Sequence, residues 1–364
     1  MYDHKSTTYL DDLTGLISAA ATEFGFASFG VAGVDIEAAG LRLKQWLDND
    51  YHGTMDYMQV HGSKRYRAAE LVPGTVRCLS FTMDYLPESM DSMEHCLDTP
   101  NNAYIARYAL GRDYHKYMRR SLQKLVNRII DVIGPFGYRV FTDSAPVMEK
   151  PLAANAGLGW IGKHTNLINK RRGSWFFIGE IYTDLPLPVS APVEDHCGTC
   201  TRCIDVCPTR AIIAPYVLDA RRCIAYLTIE NRGDIPEPLR PLIGNRIFGC
   251  DDCQLFCPWN RFATVTDNPV FKPRHDLEDS DLVELFGLDE AGYQAITEGS
   301  ALRRPGYDGW LRNIAVALGN APHSTSVIDA LTSRSDNPSA MVRRHVAWAL
   351  ARHEGRYDNS NNQK

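Results

Sequence analysis

The 364-residue sequence has no apolar run that approaches about 18 residues, the length that a membrane-spanning helix needs. Residues 1–12 are polar and lack the apolar segment of a secretory signal. We therefore expect a cytoplasmic protein without membrane contact, in a reducing compartment where disulfides are rare. A net positive charge is also missing, because the formal net charge is -5. The overall charge therefore does not favour a nucleic-acid partner.

The acidic residues are concentrated in one segment. Residues 265–300 contain nine acidic and two basic residues, a local charge of -7, so the rest of the chain carries +2. Short basic blocks with aromatic neighbours occur at residues 64–67, 117–128 and 303–310. Each block alone is typical of a solvated helix face, but together they would suit a surface that binds a structured RNA.

Eight of the ten cysteines belong to two short runs and one isolated position. The first run places three cysteines at intervals of three residues before a fourth cysteine and a proline, the spacing of bacterial ferredoxins with two 4Fe-4S clusters. The fourth cysteine of such a run usually ligates the other cluster, so the second run should complete both sets. We predict one cluster held by Cys197, Cys200, Cys203 and Cys257, and another held by Cys207, Cys223, Cys250 and Cys253.

Two structural zinc sites are the alternative, because cysteine pairs separated by two residues also bind zinc. Zinc modules place their ligands in separated pairs, whereas a triplet followed by Cys207 and Pro208 favours iron–sulfur clusters. Two cysteines remain outside this system. Cys78 lies in an apolar strand-like run and is predicted to be a small buried residue, while Cys96 is predicted to lie in a polar loop.

The apolar pattern predicts an α+β protein in three parts. In residues 1–185, helical periodicity and strand-like runs indicate an α/β or α+β domain, with a strand at 138–142 that ends at Asp143. Residues 186–265 are predicted to form a ferredoxin-like domain, entered through a proline-rich linker. Residues 266–364 comprise the acidic linker and a helical module, in which the pattern around Arg312 recurs around Arg344 as in HEAT-like helical repeats.

Gly157, Gly159 and Gly162 match the G-x-G-x-x-G pattern of dinucleotide-binding folds. That pattern predicts a nucleotide site only where a strand precedes it and a helix follows it. Here a helix-like segment precedes it and a turn into a strand follows. We therefore expect a glycine-rich loop that lets the backbone approach some other bulky ligand.

Several segments together resemble the epoxyqueuosine reductases, and the likeness extends over nearly the whole chain. Besides the cysteine runs, it rests on residues 108–115 (Tyr-Ala-Leu-Gly-Arg-Asp-Tyr-His), 142–146 (Thr-Asp-Ser-Ala-Pro), 156–163 (Ala-Gly-Leu-Gly-Trp-Ile-Gly-Lys) and 244–249 (Gly-Asn-Arg-Ile-Phe-Gly). The resemblance implies a cobalamin-dependent enzyme with two 4Fe-4S clusters that reduces epoxyqueuosine to queuosine at the tRNA wobble position. The tRNAs concerned are those for tyrosine, histidine, asparagine and aspartate. An external electron donor and a monomeric enzyme are expected.

Cobalamin is held in this family without a histidine axial ligand. Asp113 and His115 begin the D-x-H-x-x-G pattern that marks histidine ligation, but Met118 stands where the glycine would be. His115 is therefore expected at the start of a helix and not at the cobalt. In this first domain the resemblance implies a cobalamin-binding catalytic site.

The resemblance also assigns individual residues. Asp143 is the expected proton donor and a cobalamin contact, although the residue before it is threonine where the family has valine. Arg65, Ala106 and Leu167 fall at further positions that contact cobalamin, and Lys150 stands near the substrate where relatives carry arginine. Lysine keeps the charge of arginine but loses its bidentate hydrogen bonding.

The reaction explains why these groups are needed together. Removing an epoxide oxygen as water takes two electrons and two protons, whereas iron–sulfur clusters deliver electrons singly. Cobalamin in the cob(I) state would supply the electron pair, and Asp143 would protonate the departing oxygen. An aspartate with an ordinary pKa of about 3.9 is ionised at neutral pH. We therefore expect burial beside Val140, Phe141 and Val147 to raise its pKa and keep it neutral.

Three alternatives remain open. Asp143 would serve as a helix N-cap if a helix began directly after it. A reductive dehalogenase would share the cofactors, but seven arginines against three aspartates over residues 301–352 suit a tRNA better than a small halide. An electron-transfer module without catalysis would leave the first 185 residues without a role.

Overall fold

The computed structural model describes residues 7–361. Within this range, no helix is both long and apolar enough to cross a membrane. The first half of the chain contains α1 (Thr7–Glu23), β1 (Ser28–Ala32), α2 (Glu37–Asp48), α3 (Ala68–Leu71), β2 (Arg77–Asp84), α4 (Met90–Asp98), β3 (Tyr104–Ile105), α5 (Tyr114–Ile133), β4 (Tyr138–Phe141), α6 (Glu149–Asn155), β5 (Trp160–Ile161), β6 (Leu167–Ile168) and β7 (Phe176–Thr183).

Four of these strands form one sheet in the order β1-β2-β7-β4. All three strand pairs are antiparallel, and Glu180 of β7 pairs with Ser80 of β2 on one side and with Phe141 of β4 on the other. An antiparallel sheet with helices packed on it belongs to the α+β class, so the structure decides between the two classes that the sequence left open.

The two faces of the sheet bury different apolar clusters, because successive side chains of a strand point to opposite sides. Leu79 and Phe81 of β2 pack in one cluster with residues of α1 and α5. Cys78 and Tyr182 pack in another with residues of α6. The predicted amphipathic helix is confirmed as α5, whose Leu122 and neighbouring apolar residues are buried. The sheet is thus held between α1 and α5 on one face and α6 on the other.

The middle of the chain is built from short elements. No helix or strand lies between β7 and the first of them, in agreement with the predicted extended linker. They are α7 (Arg202–Asp205), β8 (Ile212–Ala214), β9 (Val217–Leu218), a π-helix (Tyr226–Glu230), α8 (Arg240–Ile243), β10 (Arg246–Phe248) and α9 (Asp252–Leu255). β10 pairs in parallel with β3, so the middle segment is tied to the first half through backbone hydrogen bonds.

The last part is helical, with α10 (Leu282–Gly287), α11 (Glu290–Ile296), α12 (Gly306–Asn320), α13 (Thr325–Thr332) and α14 (Ala340–Asn361). α12 is buried along most of its length and packs mainly against α14. Their apolar cluster includes Ile105 of β3 and Phe248 of β10, so these helices share a core with the earlier segments. The HEAT-like classification of this part stays a prediction.

Two sequence expectations for single residues have different outcomes. Cys78 is fully buried in β2, as predicted. The loop predicted around Cys96 is wrong, because this residue is buried inside α4. The side chain of Ser89 accepts a hydrogen bond from the Ser92 N–H and caps the helix, a local signal that starts α4 before the cysteine.

Gly30 fixes how closely α6 approaches the sheet. A Cβ at this position of β1 would lie 2.0 Å from the carbonyl oxygen of Ala156, just after α6. No side chain can relieve this contact, since the opposing atom belongs to the backbone. The close approach therefore requires glycine, and it sets the position of the helix that carries Glu149 and Lys150.

We expect Gly30→Ala to lower the free energy of unfolding by about 1–3 kcal/mol, because it forces α6 away from β1. Gly15→Ala is the matched control, since a Cβ at Gly15 in α1 would have no heavy atom within 4 Å. It should be neutral or stabilising by up to about 1 kcal/mol. Chemical denaturation followed by circular dichroism compares the two variants, and equal stability would contradict this account of the packing.

Candidate active site

Asp143 lies directly after β4, at the edge of the sheet. Its φ is +46°, a left-handed backbone conformation that is uncommon for aspartate. Its N–H donates a hydrogen bond to Oε1 of Glu149 at 2.5 Å, across the loop that joins β4 to α6. The N-cap alternative for Asp143 is wrong, because α6 begins six residues later and Met148 occupies the N-cap position. The side chain of Asp143 is therefore free to serve the site.

The first turn of α5 supplies two partners for the Asp143 carboxylate. The hydroxyl of Tyr114 donates to Asp143 Oδ2 at 2.5 Å, and His115 Nε2 lies 3.1 Å from the same oxygen. On the other side of the imidazole, His115 Nδ1 lies 2.6 Å from Oδ1 of Asp113. That oxygen also accepts the His115 N–H and caps α5. The imidazole is therefore held between two carboxylates.

These contacts set the protonation of the site. Burial alone would raise the pKa of Asp143, but the hydrogen bonds from His115 and Tyr114 outweigh it and lower that pKa. Burial opposes protonation of His115, yet its hydrogen bonds to Asp113 and Asp143 raise the pKa of the imidazole to about 9. The expectation that burial keeps Asp143 neutral is therefore not met. At neutral pH the site holds an aspartate anion beside an imidazolium.

Apolar neighbours do not enclose Asp143 as predicted. Its side chain is 58% exposed, since it faces an open cleft. Phe141 points into the cluster on the α6 face of the sheet, and Val147 belongs to the same cluster. The charged and hydroxyl groups of α5 therefore dominate its environment.

Behind Asp143 lie two further carboxyl groups, the half-buried Glu149 and the fully buried Glu180. Burial and the charge of Asp143 raise the pKa of Glu149 well above its ordinary value. Further inside, Glu180 accepts hydrogen bonds from Cys78 Sγ at 2.6 Å and Ser80 Oγ at 2.7 Å. Burial raises the pKa of Glu180 to about 8, with those two hydrogen bonds acting in the opposite direction. Both groups therefore favour the neutral acid, unlike Asp143.

An elongated cleft opens beside Asp143. Its walls are mostly aromatic and apolar, with a few polar groups; they are formed by Tyr85, Tyr108, Tyr114, Lys150, Asn166, Leu167, Ser174, Phe176, Phe177, Ile178 and Gln254. Tyr114 is the shared element, because its ring stacks on Phe177 at 3.9 Å while its hydroxyl reaches Asp143. A cleft of this composition suits a large, flat organic ligand with polar edges.

Two of the other predicted site residues line this cleft, Leu167 and Lys150, whereas Ala106 and Arg65 are not among its lining residues. Lys150 also donates to Thr165 O at 3.1 Å and Asn166 Oδ1 at 3.0 Å. Ala106 is buried next to β3, where its N–H donates to Phe248 O. Arg65 is buried and donates to Tyr57 O, and its Nε has no hydrogen-bond partner.

The expected role of the glycine-rich loop is wrong in one respect. A Cβ at Gly157 would lie 2.4 Å from Ala191 O, and one at Gly159 would lie 2.0 Å from Ile168 O. Both glycines therefore allow the backbone to approach other protein backbone and not a ligand. The expected local structure is confirmed, since α6 precedes the motif and a turn after it leads into β6, which pairs with β5 inside the motif.

A second cavity lies under this hairpin and is walled by thiols. Its lining includes Cys197, Cys200, Cys203 and Cys257, together with Lys163, His164, Ile168, Pro258, Trp259 and Arg261. The pKa of Cys203 is raised to about 11, first by burial and then by the neighbouring Cys257, Cys197 and Cys200. The last cysteine of the second run therefore reaches the first three cysteines of the first run.

The other four cysteines form a separate group. Burial raises the pKa of Cys253 well above its ordinary value, and the nearby Cys223 and Cys207 raise it further. Burial also raises the pKa of Cys250 well above its ordinary value, and Cys253 is among the neighbours that raise it further. No three or more His, Cys, Asp or Glu side chains among residues 7–361 converge closely enough to hold a single metal ion.

Two residues outside the cysteine runs hold the first group in place. Lys163 Nζ donates to the carbonyl oxygens of Gly198 at 2.6 Å and Cys200 at 2.9 Å. Trp160 Nε1 donates to Cys197 Sγ at 3.5 Å. Both belong to the glycine-rich loop and its hairpin, so this motif positions the cysteine loop.

Lys150, which lines the cleft, lies near both the acid and the second cysteine group. Burial lowers the pKa of Lys150, and the charges of Asp143, Cys253, Glu149 and Cys223 oppose this shift. A ligand in the cleft would contact Lys150 and would therefore lie close to both sets of groups.

The C-terminal basic residues are only partly available to a polyanion. Arg312 is fully buried and donates to the carbonyl oxygens of Leu227, Asn231 and Gly233. Arg344 is about half exposed and forms an ion pair with Asp234 at 2.6 Å. The two equivalent positions of the repeated pattern thus differ, and Arg312 cannot belong to an RNA-binding surface.

Sequence reasoning missed Tyr114, Glu149 and Lys163 as site residues. Tyr114 and Lys163 stand inside motifs that carry the family resemblance, so their presence there was a usable signal. Glu149 had none, because its contact with Asp143 depends on the shape of the loop between β4 and α6.

Comparisons with known proteins agree with this architecture. A family model described as "4Fe-4S double cluster binding domain" matches residues 196–260, and one described as "Epoxyqueuosine reductase QueG, DUF1730" matches residues 65–144. The epoxyqueuosine reductase of Xanthomonas campestris pv. campestris is 59% identical over 342 residues, which cover 94% of this chain and 96% of the relative.

Solved structures are similar in fold over the same extent. A structure of epoxyqueuosine reductase from Bacillus subtilis, with its aspartate catalytic loop swung out of the active site, is 25% identical with a TM-score of 0.86. A crystal structure of epoxyqueuosine reductase with an epoxyqueuosine-modified tyrosine tRNA stem loop is 24% identical with a TM-score of 0.83, and shows the shared fold. Each match covers 94% of this chain and 91% of the other.

We expect the buried Glu180 to make the folded protein less stable as pH rises from about 4.5 to about 8. Its pKa is about 8 in the folded protein and 4.5 ordinarily, so in this window only the folded state keeps the proton. Glu180→Gln removes that dependence, which we place at ~2–5 kcal/mol across the window. Denaturation at pH 5 and pH 8 measures it, with the exposed Glu23→Gln as control. An unchanged pH dependence in Glu180→Gln would contradict the raised pKa.

Proposed function

This chain belongs to the epoxyqueuosine reductase family, an oxidoreductase family, and we propose that it reduces the epoxide of epoxyqueuosine in tRNA to queuosine. The proposal includes the tRNAs for tyrosine, histidine, asparagine and aspartate as substrates, a cytoplasmic location and a monomeric enzyme. It also includes an external electron donor, because iron–sulfur clusters relay electrons and must be reduced again after each turnover.

The position of the cleft carries this proposal. Tyr114, which donates a hydrogen bond to Asp143, lines the cleft, and so does Lys150, which lies near both Asp143 and the cysteine group that includes Cys253. Reduction of an epoxide needs a proton at the oxygen and electrons at the carbon. A ligand in the cleft would lie near both a group that handles protons and a group proposed to hold a cluster.

Cobalamin fits the residues of this cleft. The walls offer stacked aromatic rings for a flat macrocycle, and the side chains of Lys150, Asn166 and Gln254 offer polar groups for its amide edges. Leu167 would pack against the corrin, and Arg65, with its partnerless buried Nε, would provide a further polar contact. When bound, cobalamin would supply the electron pair that iron–sulfur clusters cannot deliver in one step. No histidine is needed as an axial ligand, since His115 is engaged by two carboxylates.

Asp143 is proposed as the residue that gives the proton to the epoxide oxygen. Its side chain is exposed, its backbone N–H is held by Glu149, and Tyr114, which donates to its carboxylate, lines the cleft, so a ligand in the cleft would lie beside it. General acid catalysis matters here because an alkoxide is a poor leaving group. Lys150 donates hydrogen bonds to Thr165 and Asn166, which hold its ammonium group in place. That ammonium would contact the substrate and stabilise negative charge on it.

The two cysteine groups are proposed to hold two 4Fe-4S clusters. The thiol-lined cavity supports Cys197, Cys200, Cys203 and Cys257 as one ligand set, and the second group supports Cys207, Cys223, Cys250 and Cys253 as the other. The second set is closer to Lys150 and the cleft, whereas Cys200 of the first set is exposed. Electrons would therefore enter at the first cluster and leave from the second.

Asp143→Asn should lower single-turnover epoxide reduction by about 10²–10⁴-fold, because asparagine cannot give a proton to the oxygen. Mass spectrometry of the tRNA nucleosides measures the conversion of epoxyqueuosine to queuosine. Iron and cobalamin contents must match those of the unmodified enzyme. Undiminished turnover in the variant would reject Asp143 as the acid.

Cys257→Ser should remove the cluster of the first run and spare the other, because its thiol faces Cys197, Cys200 and Cys203. Electron paramagnetic resonance of the reduced protein should then show the signal of one cluster, and the iron content should fall by about half. Cys96→Ser is the control, because Cys96 is buried and lies far from both cysteine groups in the sequence. This variant should keep both signals. Loss of the cluster that contains Cys250 and Cys253 instead would reject the crossed ligand sets.

A further inference from the structure

We propose that His115, held by Asp113, is the proton store that recharges Asp143 during the reaction. This inference rests on the proposed function, because it concerns the protons that the same reaction consumes. Converting an epoxide to an alkene and water takes two protons at one oxygen atom. Asp143 has one carboxyl group and must therefore be protonated again within a turnover.

Asp143 alone is poorly suited to this task. In the ligand-free site it is an anion that accepts two hydrogen bonds at a single oxygen, Oδ2. Of its two partners, the Tyr114 hydroxyl has a strongly raised pKa, caused first by burial and then by the charge of Asp143. Tyr114 can hold the carboxylate in position but does not readily give up its proton. The imidazole of His115 is the partner that carries an exchangeable proton.

Asp113, His115 and Asp143 form a continuous path. Asp113 Oδ1 fixes the orientation of the ring by accepting both the backbone N–H and Nδ1 of His115. Nε2 then faces Asp143 Oδ2 at 3.1 Å. The ring of Tyr114 stacks on the imidazole at 4.1 Å and limits its rotation. The His115 side chain is 28% exposed, so solvent can return a proton to it.

The charges around the imidazole favour a stored proton. Asp113 and Asp143 contact it directly, and Glu149 lies close enough for its pKa to respond to the His115 charge. Two nearby cations affect the carboxylates that hold the ring. Lys116 lowers the pKa of Asp113, and Lys150 lowers the pKa of Asp143. Arg119, one turn along α5, is directed to Ser144 Oγ at 3.2 Å. Anions therefore surround the ring more closely than cations do.

The transfer of a proton from His115 through Asp143 neither oxidises nor reduces either residue. The Nε2–H bond of His115 breaks as an O–H bond forms at Asp143 Oδ2, and the protonated Asp143 gives this proton to the oxygen as the C–O bond breaks. The electrons of that C–O bond stay with oxygen, and the reductant of the proposed function supplies an electron pair to carbon. Neutral His115 then takes a proton from solvent and passes it through Asp143 to the same oxygen. The second C–O bond breaks with its electrons on that oxygen, water leaves, and the supplied electron pair becomes the second bond of the alkene. His115 is thus a positioning and proton-supplying residue that acts through Asp143.

The pH profile of single-turnover reduction by the cofactor-loaded enzyme tests the proposal. The rate should fall as pH rises through about 9, where the folded protein loses the His115 proton. Asp113→Asn should move this fall to lower pH by about 1–2 units, because an anion that favours the imidazolium is removed. His115→Gln should lower the rate about 10²-fold. His95→Gln, which changes an exposed histidine of α4, should behave as the unmodified enzyme.

Two further measurements separate a proton store from a structural role. Added imidazole should restore part of the rate in His115→Ala, and nitrogen NMR of histidine-labelled oxidised enzyme should show His115 titrating near pH 9 and lower in Asp113→Asn. An unchanged pH profile in Asp113→Asn, or a loss in His115→Ala that imidazole does not restore, would overturn the proposal. If Asp143→Asn is inactive while the His115 variants keep full rate, only this inference fails. Full activity of Asp143→Asn would reject the acid role itself.

Discussion

The hydrogen bonds that join Asp143 to Tyr114 and His115 tie the end of β4 to the first turn of α5. Everything at the cleft depends on this junction. It brings two segments that are 28 residues apart into one hydrogen-bonded group. Both segments are anchored independently, β4 by its pairing with β7 and α5 by the apolar cluster on one face of the sheet. The reactive groups are therefore mounted on rigid elements although Asp143 itself lies in a loop.

The same junction explains the contrast among the carboxyl groups. Asp143 is stabilised as an anion by two donors, whereas Glu149 and Glu180, which lie deeper, have raised pKa values because burial dominates there. The anions Asp113 and Asp143 flank an imidazolium at the first turn of α5, whereas the acids behind them are neutral, so charge is confined to the outer part of the site. The cost of burying further charges in the sheet is avoided.

The segment that carries the two cysteine runs is joined to the sheet domain that carries Asp143 by backbone hydrogen bonds and by a shared apolar core. β10 pairs with β3, and the β5–β6 hairpin positions the loop of Cys197 through Lys163 and Trp160. The C-terminal helices add to this, since Arg312 binds three backbone carbonyls of the segment that follows Cys223. The helical part therefore packs against the cluster region and supports it.

The sequence by itself determined the cluster chemistry, the position of Asp143 after a strand, and the amphipathic helix α5. Cysteine spacing fixes ligand geometry within a few residues of chain, and helical periodicity is likewise local. Only the tertiary structure decided that the sheet is antiparallel, that Asp143 is an anion and not a buried neutral acid, and that Arg312 is buried. Each of these depends on partners distant in sequence, because a pKa or a burial is set by what packs against a group in space.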